Sequence, residues 1–364
     1  MNKDIKSLYI HIPFCNKICD YCDFTKLQYF RNFASDYLKA LEKELASYHI
    51  GELKTIYVGG GTPTALEDDL FLELLEIIYP YSKEIEEYTF EANPESLTLN
   101  KIKLLKKYGV NRVSIGVQTT DDKILKLVNR DHNFSQVVDA VNNLKQEGID
   151  NINVDLILGL PHSSEKILKQ DIKNILSLNV KHVSCYGLTV HEHTALFNKG
   201  YQEPAGDLLR KYYDIVEECL TNNGFIHYEV SNWAKPGYES KHNYTYWKNE
   251  QYFGVGLGAS GYIGEIRYKN TINLTKYLEG KWIEEKENVS RRDGHVYQLM
   301  LNLRTISGLD LEFIKKVFNK DLLKEKKPQI DVFVRNGLLA IKDHKLIPTY
   351  QGMMVLDQII LELI

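Results

Sequence analysis

The segment Tyr9–Phe24, YIHIPFCNKICDYCDF, contains three cysteines within eight residues. The spacing C-x3-C-x2-C places Cys15, Cys19 and Cys22 in one loop after a short apolar run. Iron–sulfur cubanes are normally held by four thiolates, so three thiolates leave one iron with an open coordination position. The amino and carboxylate groups of S-adenosylmethionine can chelate that iron, and an electron from the cluster then breaks a sulfur–carbon bond. The spacing therefore predicts a [4Fe-4S] cluster that binds S-adenosylmethionine.

Zinc is the alternative metal for a cysteine loop of this kind. Structural zinc sites take four ligands and favour paired C-x2-C units, and this sequence has no second pair. His11 is a candidate fourth ligand, but it alternates with Ile10 and Ile12 in a strand-like run and is expected to pack or bond locally. Cys185 and Cys219 lie in an apolar run and an amphipathic helix, and both are expected to be small buried hydrophobic residues.

The overall composition is that of an ordinary globular protein. The chain has 364 residues, of which 43% are hydrophobic and 26% are charged, and a chain of this length can bury a full core. Its net charge of −4 provides no positive field that would indicate a nucleic-acid partner. No apolar stretch reaches about 18 residues, and MNKDIK (Met1–Lys6) is too polar to begin a signal peptide. We therefore expect a cytoplasmic protein that does not bind nucleic acid.

The first two-thirds of the chain alternates β-rich runs with helical periodicity. The runs predict strands at Leu8–Ile12, Thr55–Val58, Tyr88–Glu91, Arg112–Val117, Asn151–Leu158 and His182–Gly187. Helices are predicted between them at Ala34–Tyr48, Leu66–Tyr79, Leu99–Tyr108, Phe134–Glu147 and Glu165–Leu176. This alternation is typical of a parallel sheet with helical crossovers. Six strands are fewer than a full barrel needs, so we expect an α/β fold, a partial (β/α)6 TIM-like barrel with its site at the carboxyl ends of the strands.

Changes in pattern divide the chain into three predicted domains. Residues 1–224 form the barrel, 225–290 an aromatic and glycine-rich connecting region, and 291–364 a C-terminal helical domain. The last domain contains predicted helices at Arg292–Leu303, Asp310–Phe318 and Gln329–Asn336, a hairpin-like LLAIKDHKLIPT (338–349) and a final helix at Tyr350–Leu363. This order predicts a winged-helix-like α+β appendage. Because it lacks a basic stripe, we expect a structural lid rather than a DNA-binding unit.

The segment CNKICDYC resembles the signature of the radical S-adenosylmethionine superfamily, and YIHIPFC resembles its coproporphyrinogen III oxidase-like branch. Further matches to that branch span nearly the whole chain: VGGGTPT, FEANPES, RVSIGVQ, VNRDH, NVDLILGLP, YEVSNWAKPGYESKHNYTYW and GVGLGASGY. The resemblance implies that S-adenosylmethionine is contacted by Tyr9, Gly60, Gly61, Thr62, Glu91, Gln118, Arg130 and Asp155. Among these, Asp155 suits ribose hydroxyls and Arg130 suits the cofactor carboxylate.

Two of these positions also stand out by residue type. Gly59–Gly61 follow the second predicted strand, and their backbone can approach a ligand closely, although a tight strand-to-helix turn is the alternative. Asp155 interrupts the apolar run INVDLILGLP, where a carboxylate needs a partner or a cavity.

The same branch contains porphyrinogen dehydrogenases and haem chaperones. In the dehydrogenases a further cysteine follows the third one, giving C-x2-C-x-C, whereas Phe24 stands at that position here. This departure argues against an oxygen-independent coproporphyrinogen III dehydrogenase, which stays open as the alternative together with other radical enzymes. The segment HNYTYW, His242–Trp247, matches the HNxxYW pattern by which the haem chaperones are recognised.

The resemblance therefore implies a haem-binding chaperone that delivers haem to haem-requiring client proteins. It also implies an electron donor for the cluster, and delivery at a membrane would involve peripheral association. His242 is the expected haem ligand, because imidazole is a common axial ligand and Tyr246 and Trp247 can pack on the macrocycle. By residue type alone, the alternative is that His242 caps a loop and the aromatic rings fill the open edge of the barrel. His191 and His193 are the next candidate ligands.

Overall fold

The computed structural model describes residues 5–364, so most of the polar segment Met1–Lys6 lies outside the described residues. The first part of the chain contains the strands β1 (Ser7–Ile12), β2 (Phe14–Cys15), β3 (Leu27–Gln28), β4 (Thr55–Gly60), β5 (Glu87–Ala92), β6 (Arg112–Gln118), β7 (Asn151–Leu158) and β8 (His182–Gly187). Its helices are α1 (Arg31–Ser47), α2 (Asp68–Ile78), α3 (Leu99–Lys107), α4 (Asp122–Leu127), α5 (Phe134–Gln146), α6 (Glu165–Ser177), α7 (Ala195–Asn198) and α8 (Gly206–Thr221). Short 3-10 helices lie at Pro63–Ala65, Tyr79–Tyr81 and Pro94–Ser96.

Six parallel strands form the centre of the main sheet, in the order β1-β4-β5-β6-β7-β8. This arrangement confirms the predicted α/β partial barrel, and each predicted strand is present to within a residue or two. Apolar side chains at alternate strand positions, such as Val113 and Ile115, belong to the main hydrophobic core, because successive side chains of a strand point to opposite faces. The intervening positions face the interior of the barrel.

Local sequence signals set where the helices begin. Helix α5 starts with a capping box, in which the Asn133 side chain accepts a hydrogen bond from the Gln136 backbone at 3.0 Å. This bond satisfies an amide that the helix itself leaves unpaired. Helix α6 starts in a related way, with the Ser164 hydroxyl accepting from the Ile167 backbone at 3.3 Å.

The connecting region contributes short elements to both edges of the main sheet. Its strands are β9 (Ile226–Glu229), β10 (Asn232–Ala234), β11 (Phe253–Val255), β12 (Ser260–Ile263), β13 (Ile266–Asn270) and β14 (Ile283–Asn288), and its helices are α9 (Lys241–Trp247) and α10 (Leu274–Leu278). Strand β11 pairs with β1, while β10 and β9 extend the sheet beyond β8. Strands β12, β13 and β14 form a separate antiparallel sheet. The domain boundaries at 224 and 290 stay predictions, although three strands of this region join the barrel sheet.

The C-terminal part has its own small core, which includes Leu299, Leu346 and Ile359. Its elements are α11 (Arg291–Asn302), β15 (Leu309–Asp310), α12 (Leu311–Phe318), α13 (Leu322–Glu325), α14 (Lys327–Arg335), β16 (Leu339–Lys342), β17 (Lys345–Pro348), α15 (Tyr350–Met353) and α16 (Leu356–Leu363). The order helix, strand, helices and hairpin agrees with the predicted winged-helix-like appendage. The single predicted final helix is instead two short helices, because the backbone leaves helical geometry at Val355.

The C-terminal part packs against the barrel away from the cysteine loop. The Asn302 amide donates to the Trp247 carbonyl of α9 at 2.7 Å, and the Tyr350 hydroxyl donates to Asp214 of α8 at 2.7 Å. These contacts hold the appendage against α8 and α9, and the structural lid expected from the sequence stays a prediction. Among residues 5–364, no helix is long and apolar enough to cross a membrane.

Candidate functional site

The cysteine loop follows β1 at the carboxyl end of the sheet. Strand β2 carries Cys15 and pairs with β3, which anchors the two ends of the loop to each other. The segment after α4 holds the middle of the loop through two hydrogen bonds. The Asp20 amide donates to the Val128 carbonyl at 3.1 Å, and the Asn129 side chain donates to the Ile18 carbonyl at 2.8 Å. The cysteines are thus presented by a loop whose backbone is fixed from several sides.

Two of the three thiols accept hydrogen bonds from the protein. The Thr62 hydroxyl donates to Cys15 Sγ at 3.7 Å, and Arg130 Nη1 donates to Cys19 Sγ at 3.5 Å. Burial raises the pKa of Cys15 to about 11 and also raises that of Cys22, so these thiols stay protonated until a metal displaces the protons. Donors directed at sulfur suit thiolate ligands. The residues present therefore fit a [4Fe-4S] cluster.

A cavity of about 440 Å³ opens beside the cysteine loop, at the carboxyl ends of the parallel strands. All three loop cysteines line it. It is also lined by most of the residues expected to contact S-adenosylmethionine, namely Gly60, Gly61, Thr62, Glu91, Gln118, Arg130 and Asp155. The structure thus brings these side chains together around one space, and their binding of the cofactor stays a prediction.

Tyr9 is the exception among the expected cofactor contacts. Its hydroxyl lies 2.9 Å from His11 Nδ1, and its ring centroid lies 6.1 Å from that of Tyr57, which does line the cavity. His11 is buried, and its Nε2 lies 2.8 Å from the Thr25 carbonyl. The local bonding predicted for His11 is therefore confirmed. Because the Tyr9 hydroxyl is engaged with His11, this structure does not present it to the cavity.

The glycines after β4 make room for protein groups as well as for the cavity. A Cβ at Gly59 would lie 2.6 Å from the Glu91 carboxyl carbon, and one at Gly60 would lie 2.7 Å from the His11 ring. Gly60 also has a φ of 114°, a conformation that favours glycine. Its amide donates to Glu91 Oε2 at 2.9 Å. The glycines of this turn therefore leave the space that the Glu91 carboxyl group and the His11 ring occupy.

Three carboxyl groups line the cavity, Asp23 in the cysteine loop and Glu91 and Asp155 in the barrel strands. The Tyr57 hydroxyl donates to Glu91 Oε1 at 2.7 Å. Asp155 accepts from the Ser114 hydroxyl at 3.1 Å and from the Asn153 amide at 2.8 Å. Burial raises the pKa of Glu91 and Asp155, and that of Glu91 to about 7. When ionised, these oxygens are acceptors for the ammonium and hydroxyl groups of a ligand.

Gln118 reaches the cavity through an irregularity in β6. The pairing of β6 with β7 shifts between Gly116 and Gln118, and Gln118 has a φ of 69°. Such a conformation is uncommon for a residue other than glycine, and bulges of this kind redirect a side chain near functional sites. The shift places Gln118 on the cavity wall, while Gly116 pairs with Asp155.

Helix α9 carries the HNYTYW segment across the amino ends of the strands, opposite the cysteine loop. His242 is fully buried, with Nδ1 2.8 Å from the Thr55 hydroxyl and Nε2 2.8 Å from the Tyr246 hydroxyl. Burial lowers the pKa of His242 to about 3, so the ring is neutral. The expectation that His242 offers a free nitrogen to haem is not met in this structure, because both nitrogens are already bonded. Its place agrees with the alternative, in which the aromatic segment fills the barrel.

Several further residues that line the cavity were not predicted from the sequence. They are Tyr57, Arg112, Ser114, Asn153, Ser184, Tyr186 and Asn243. Most of these residues occupy every second position of an otherwise apolar strand, as Arg112 and Ser114 do around Val113. Because strand side chains alternate between faces, this pattern was the available signal for a polar barrel interior.

Comparison with known proteins gives the class. A family model described as the Radical SAM superfamily matches residues 9–175, and one described as the HemN C-terminal domain matches residues 292–355. The solved structure of coproporphyrinogen III oxidase (HemN) from Escherichia coli, described as a radical SAM enzyme, has a TM-score of 0.87 at 22% identity and covers 100% of this chain and 91% of that chain. This likeness establishes a HemN-like radical SAM fold.

Curated relatives define the family within that class. The protein named heme chaperone HemW in Lactococcus lactis subsp. lactis is 39% identical over 342 residues, covering 92% of this chain and 90% of that protein. The HemW of Bacillus subtilis is 36% identical over 371 residues, with 98% of each chain covered. The HemW of Escherichia coli is 31% identical over 349 residues, covering 92% and 91%. The chain therefore belongs to the HemW family of the radical SAM superfamily. Membership of that superfamily implies a [4Fe-4S] cluster and S-adenosylmethionine rather than zinc.

Proposed function

We propose that this protein is a haem chaperone, which binds haem and delivers it to haem-requiring proteins. The observation that carries the proposal is similarity along more than nine-tenths of the chain to relatives named heme chaperone. The client proteins and an electron donor are partners in this proposal. The proposal also places the protein in the cytoplasm, where it associates peripherally with a membrane to deliver haem.

In this proposal the cavity holds the cluster and its cofactor. Cys15, Cys19 and Cys22 are the cluster ligands, and the bound cluster supplies the electron that can cleave S-adenosylmethionine. Arg130 donates to Cys19 and, at 3.1 Å, to Asn93 Oδ1, so it lies where a carboxylate next to the cluster can be neutralised. Gln118, Glu91 and Asp155 then line the space for the rest of the molecule.

The affinity for S-adenosylmethionine is expected to fall as the pH is lowered through about 7. The pKa of Glu91 is raised to about 7, so protonation below that pH removes a charged acceptor for the amino group of the cofactor. One linked proton predicts roughly a tenfold loss for each pH unit below this pKa. Isothermal titration of the reconstituted protein between about pH 6 and 8 measures this dependence. Glu91→Gln should flatten the profile and exposed Glu42→Gln should retain it, while a flat profile in the unmodified protein would refute the assignment.

Phe24 distinguishes the proposal from porphyrinogen dehydrogenation. It stands at the position of the further cysteine, lines the cavity and is 65% exposed. The residue thus provides an apolar ring where the dehydrogenases have a thiol. Tyr186 also lines the cavity and is exposed, so the two rings offer a surface on which a flat macrocycle can pack.

His191 is better placed than His242 to bind haem iron. It lines the cavity, its side chain is 42% exposed, and its Nε2 lies 3.0 Å from Asp23 Oδ2. A carboxylate bonded to one imidazole nitrogen orients the ring and leaves the other nitrogen available to a metal. His193 stacks beside it with a centroid distance of 5.8 Å. We therefore assign the haem ligand in this proposal to His191.

The anaerobically reconstituted protein is expected to bind haem without converting coproporphyrinogen III to protoporphyrinogen IX. His191→Ala should shift the Soret band and weaken haem binding by roughly tenfold or more, because one axial ligand is lost. His242→Ala should leave the Soret band unchanged but lower the midpoint of thermal unfolding, because it breaks two buried hydrogen bonds. Robust turnover of coproporphyrinogen III would contradict the chaperone proposal. A Soret shift in His242→Ala but not in His191→Ala would instead assign the haem ligand to His242 on α9.

A further inference from the structure

The floor of the cavity contains a buried arginine that has no hydrogen-bond or ion-pair partner within residues 5–364. Arg112 begins β6 and is 2% exposed, and its side chain lines the cavity together with Ser114 and Gly116 on the same face of the strand. Within residues 5–364, its Nε has no hydrogen-bond partner, and no ion pair or hydrogen bond joins the guanidinium to another side chain. Buried charges are normally paired or bound to a ligand, because the loss of hydration is unfavourable.

Burial raises the pKa of the Glu91 and Asp155 carboxyl groups, and the charge of Arg112 lowers the pKa of both against that effect. Their hydrogen bonds go elsewhere: Glu91 is bonded through one oxygen to Tyr57 and through the other to the Gly60 amide. Both oxygens of Asp155 accept hydrogen bonds from polar side chains of β6 and β7. Among the described residues, neither carboxyl group is therefore hydrogen-bonded to Arg112.

Arg112 and Arg130 lie at different depths in the barrel. Arg130 donates to Cys19 Sγ and to the Gly116 carbonyl, and so lies beside the cysteine loop. Arg112 precedes Gly116 by four residues on β6, which corresponds to about 13 Å along a strand. A carboxylate next to the cluster is therefore neutralised by Arg130, and a separate anionic group is needed at the level of Arg112.

Two other polar residues of the cavity suit a carboxylate. Asn243 of α9 and Ser184 of β8 line the cavity together with Arg112. A planar guanidinium fork matches the two oxygens of a carboxylate, and an amide can add a further donor. We propose that Arg112 and Asn243 make the cavity floor a carboxylate-binding subsite, distinct from the position at the cysteine loop. Because the single carboxylate of S-adenosylmethionine belongs at the cysteine loop, the carboxylate at Arg112 is a haem propionate, an inference that rests on the proposed haem-binding function.

Two pairs of probes test the subsite on the cluster-loaded protein by isothermal titration. The first pair is haem and haem dimethyl ester, and the second is S-adenosylmethionine and its decarboxylated form. Arg112→Met should weaken binding of haem roughly 10- to 100-fold, because a charge-assisted pair is lost, and should leave binding of haem dimethyl ester unaffected. Arg112→Lys keeps the charge but not the fork, and should lose less. The second pair is the control: a loss with S-adenosylmethionine but not with its decarboxylated form would place the methionyl carboxylate at Arg112 and would overturn the proposal.

Thermal unfolding separates this role from a structural one. The melting temperature of the cluster-loaded protein without added ligand should change little in Arg112→Met, because the substitution breaks no hydrogen bond within residues 5–364, and yet the variant should bind less well. Arg335→Met, on the exposed surface of α14, should change neither property. Unchanged affinity for haem in Arg112→Met, or an equal loss for haem and its dimethyl ester, would overturn the subsite. If the unmodified protein binds no haem, the chaperone function fails and the subsite fails with it.

Discussion

Cys19→Ala is expected to abolish the [4Fe-4S] cluster. The three cysteines of the loop are the predicted cluster ligands, by spacing and by their place around the cavity, and the variant leaves two thiolates for four irons. Anaerobic reconstitution of the unmodified protein should yield about four irons per chain and a broad absorbance near 400 nm. The variant should contain almost no iron and should lack this absorbance. The chain should still fold, because Cys19 is only partly buried.

The matched control for this experiment is Cys219→Ala. Cys219 lies on α8 and does not line the cavity, so its loss should leave the iron content and the absorbance unchanged. Both variants remove one thiol, and their comparison therefore isolates the cysteine loop. An unmodified protein that binds zinc and takes up no iron would contradict the cluster, as would a full complement of iron in Cys19→Ala.

Glu44→Ala is expected to lower the free energy of unfolding by about 3–5 kcal/mol, measured by chemical denaturation. Glu44 is fully buried in α1. Its carboxylate accepts from the Tyr277 hydroxyl at 2.5 Å, the Asn270 amide at 2.6 Å and the Gly256 backbone at 2.9 Å. Alanine would leave these buried donors without an acceptor and would open a cavity. The loss should therefore far exceed that of an ordinary surface substitution.

The same variant should also affect the cysteine loop. Gly256 packs against the backbone of His11, where an added Cβ would lie 2.4 Å from the carbonyl oxygen, and the loop begins soon after His11. We expect slower cluster uptake in Glu44→Ala than in Glu42→Ala, an exposed position on the same helix. The Glu42 variant should change stability by less than about 0.5 kcal/mol. Equal free energies of unfolding for the two variants would show that the hydrogen bonds of the buried Glu44 carboxylate do not stabilise the protein.

The six central strands could be predicted because each one carries its own local signal. A β-rich run followed by a helical stretch identifies a βα unit, and repetition of the unit implies a parallel sheet. The connecting region lacked such a signal, since β10 and β11 have three residues each and α9 has seven. Elements of this length are too short to show a reliable period. Their pairing with β1 and β8 depends on contacts between distant parts of the chain.

The cysteine ligands could likewise be predicted, because thiol chemistry is set by residue type and local spacing. The role of His242 could not, since whether an imidazole nitrogen is free depends on Thr55 and Tyr246, and Thr55 lies far away in sequence. Phe24 and His191 come from different loops, and only the tertiary structure brings them to the same cavity.

Local sequence patterns predicted the βα repeat, the cysteine loop and a group of residues that line the cavity, because these follow from residue type and from the common edge at which parallel strands end. The depth of each side chain and its partners came from the tertiary structure. Arg130 is bonded beside Cys19, whereas the Nε of buried Arg112, on the same strand face as Ser114, has no hydrogen-bond partner among the described residues. The physical reason is that burial and hydrogen bonding depend on strand register and on packing between distant segments, which the order of residues along one strand does not reveal.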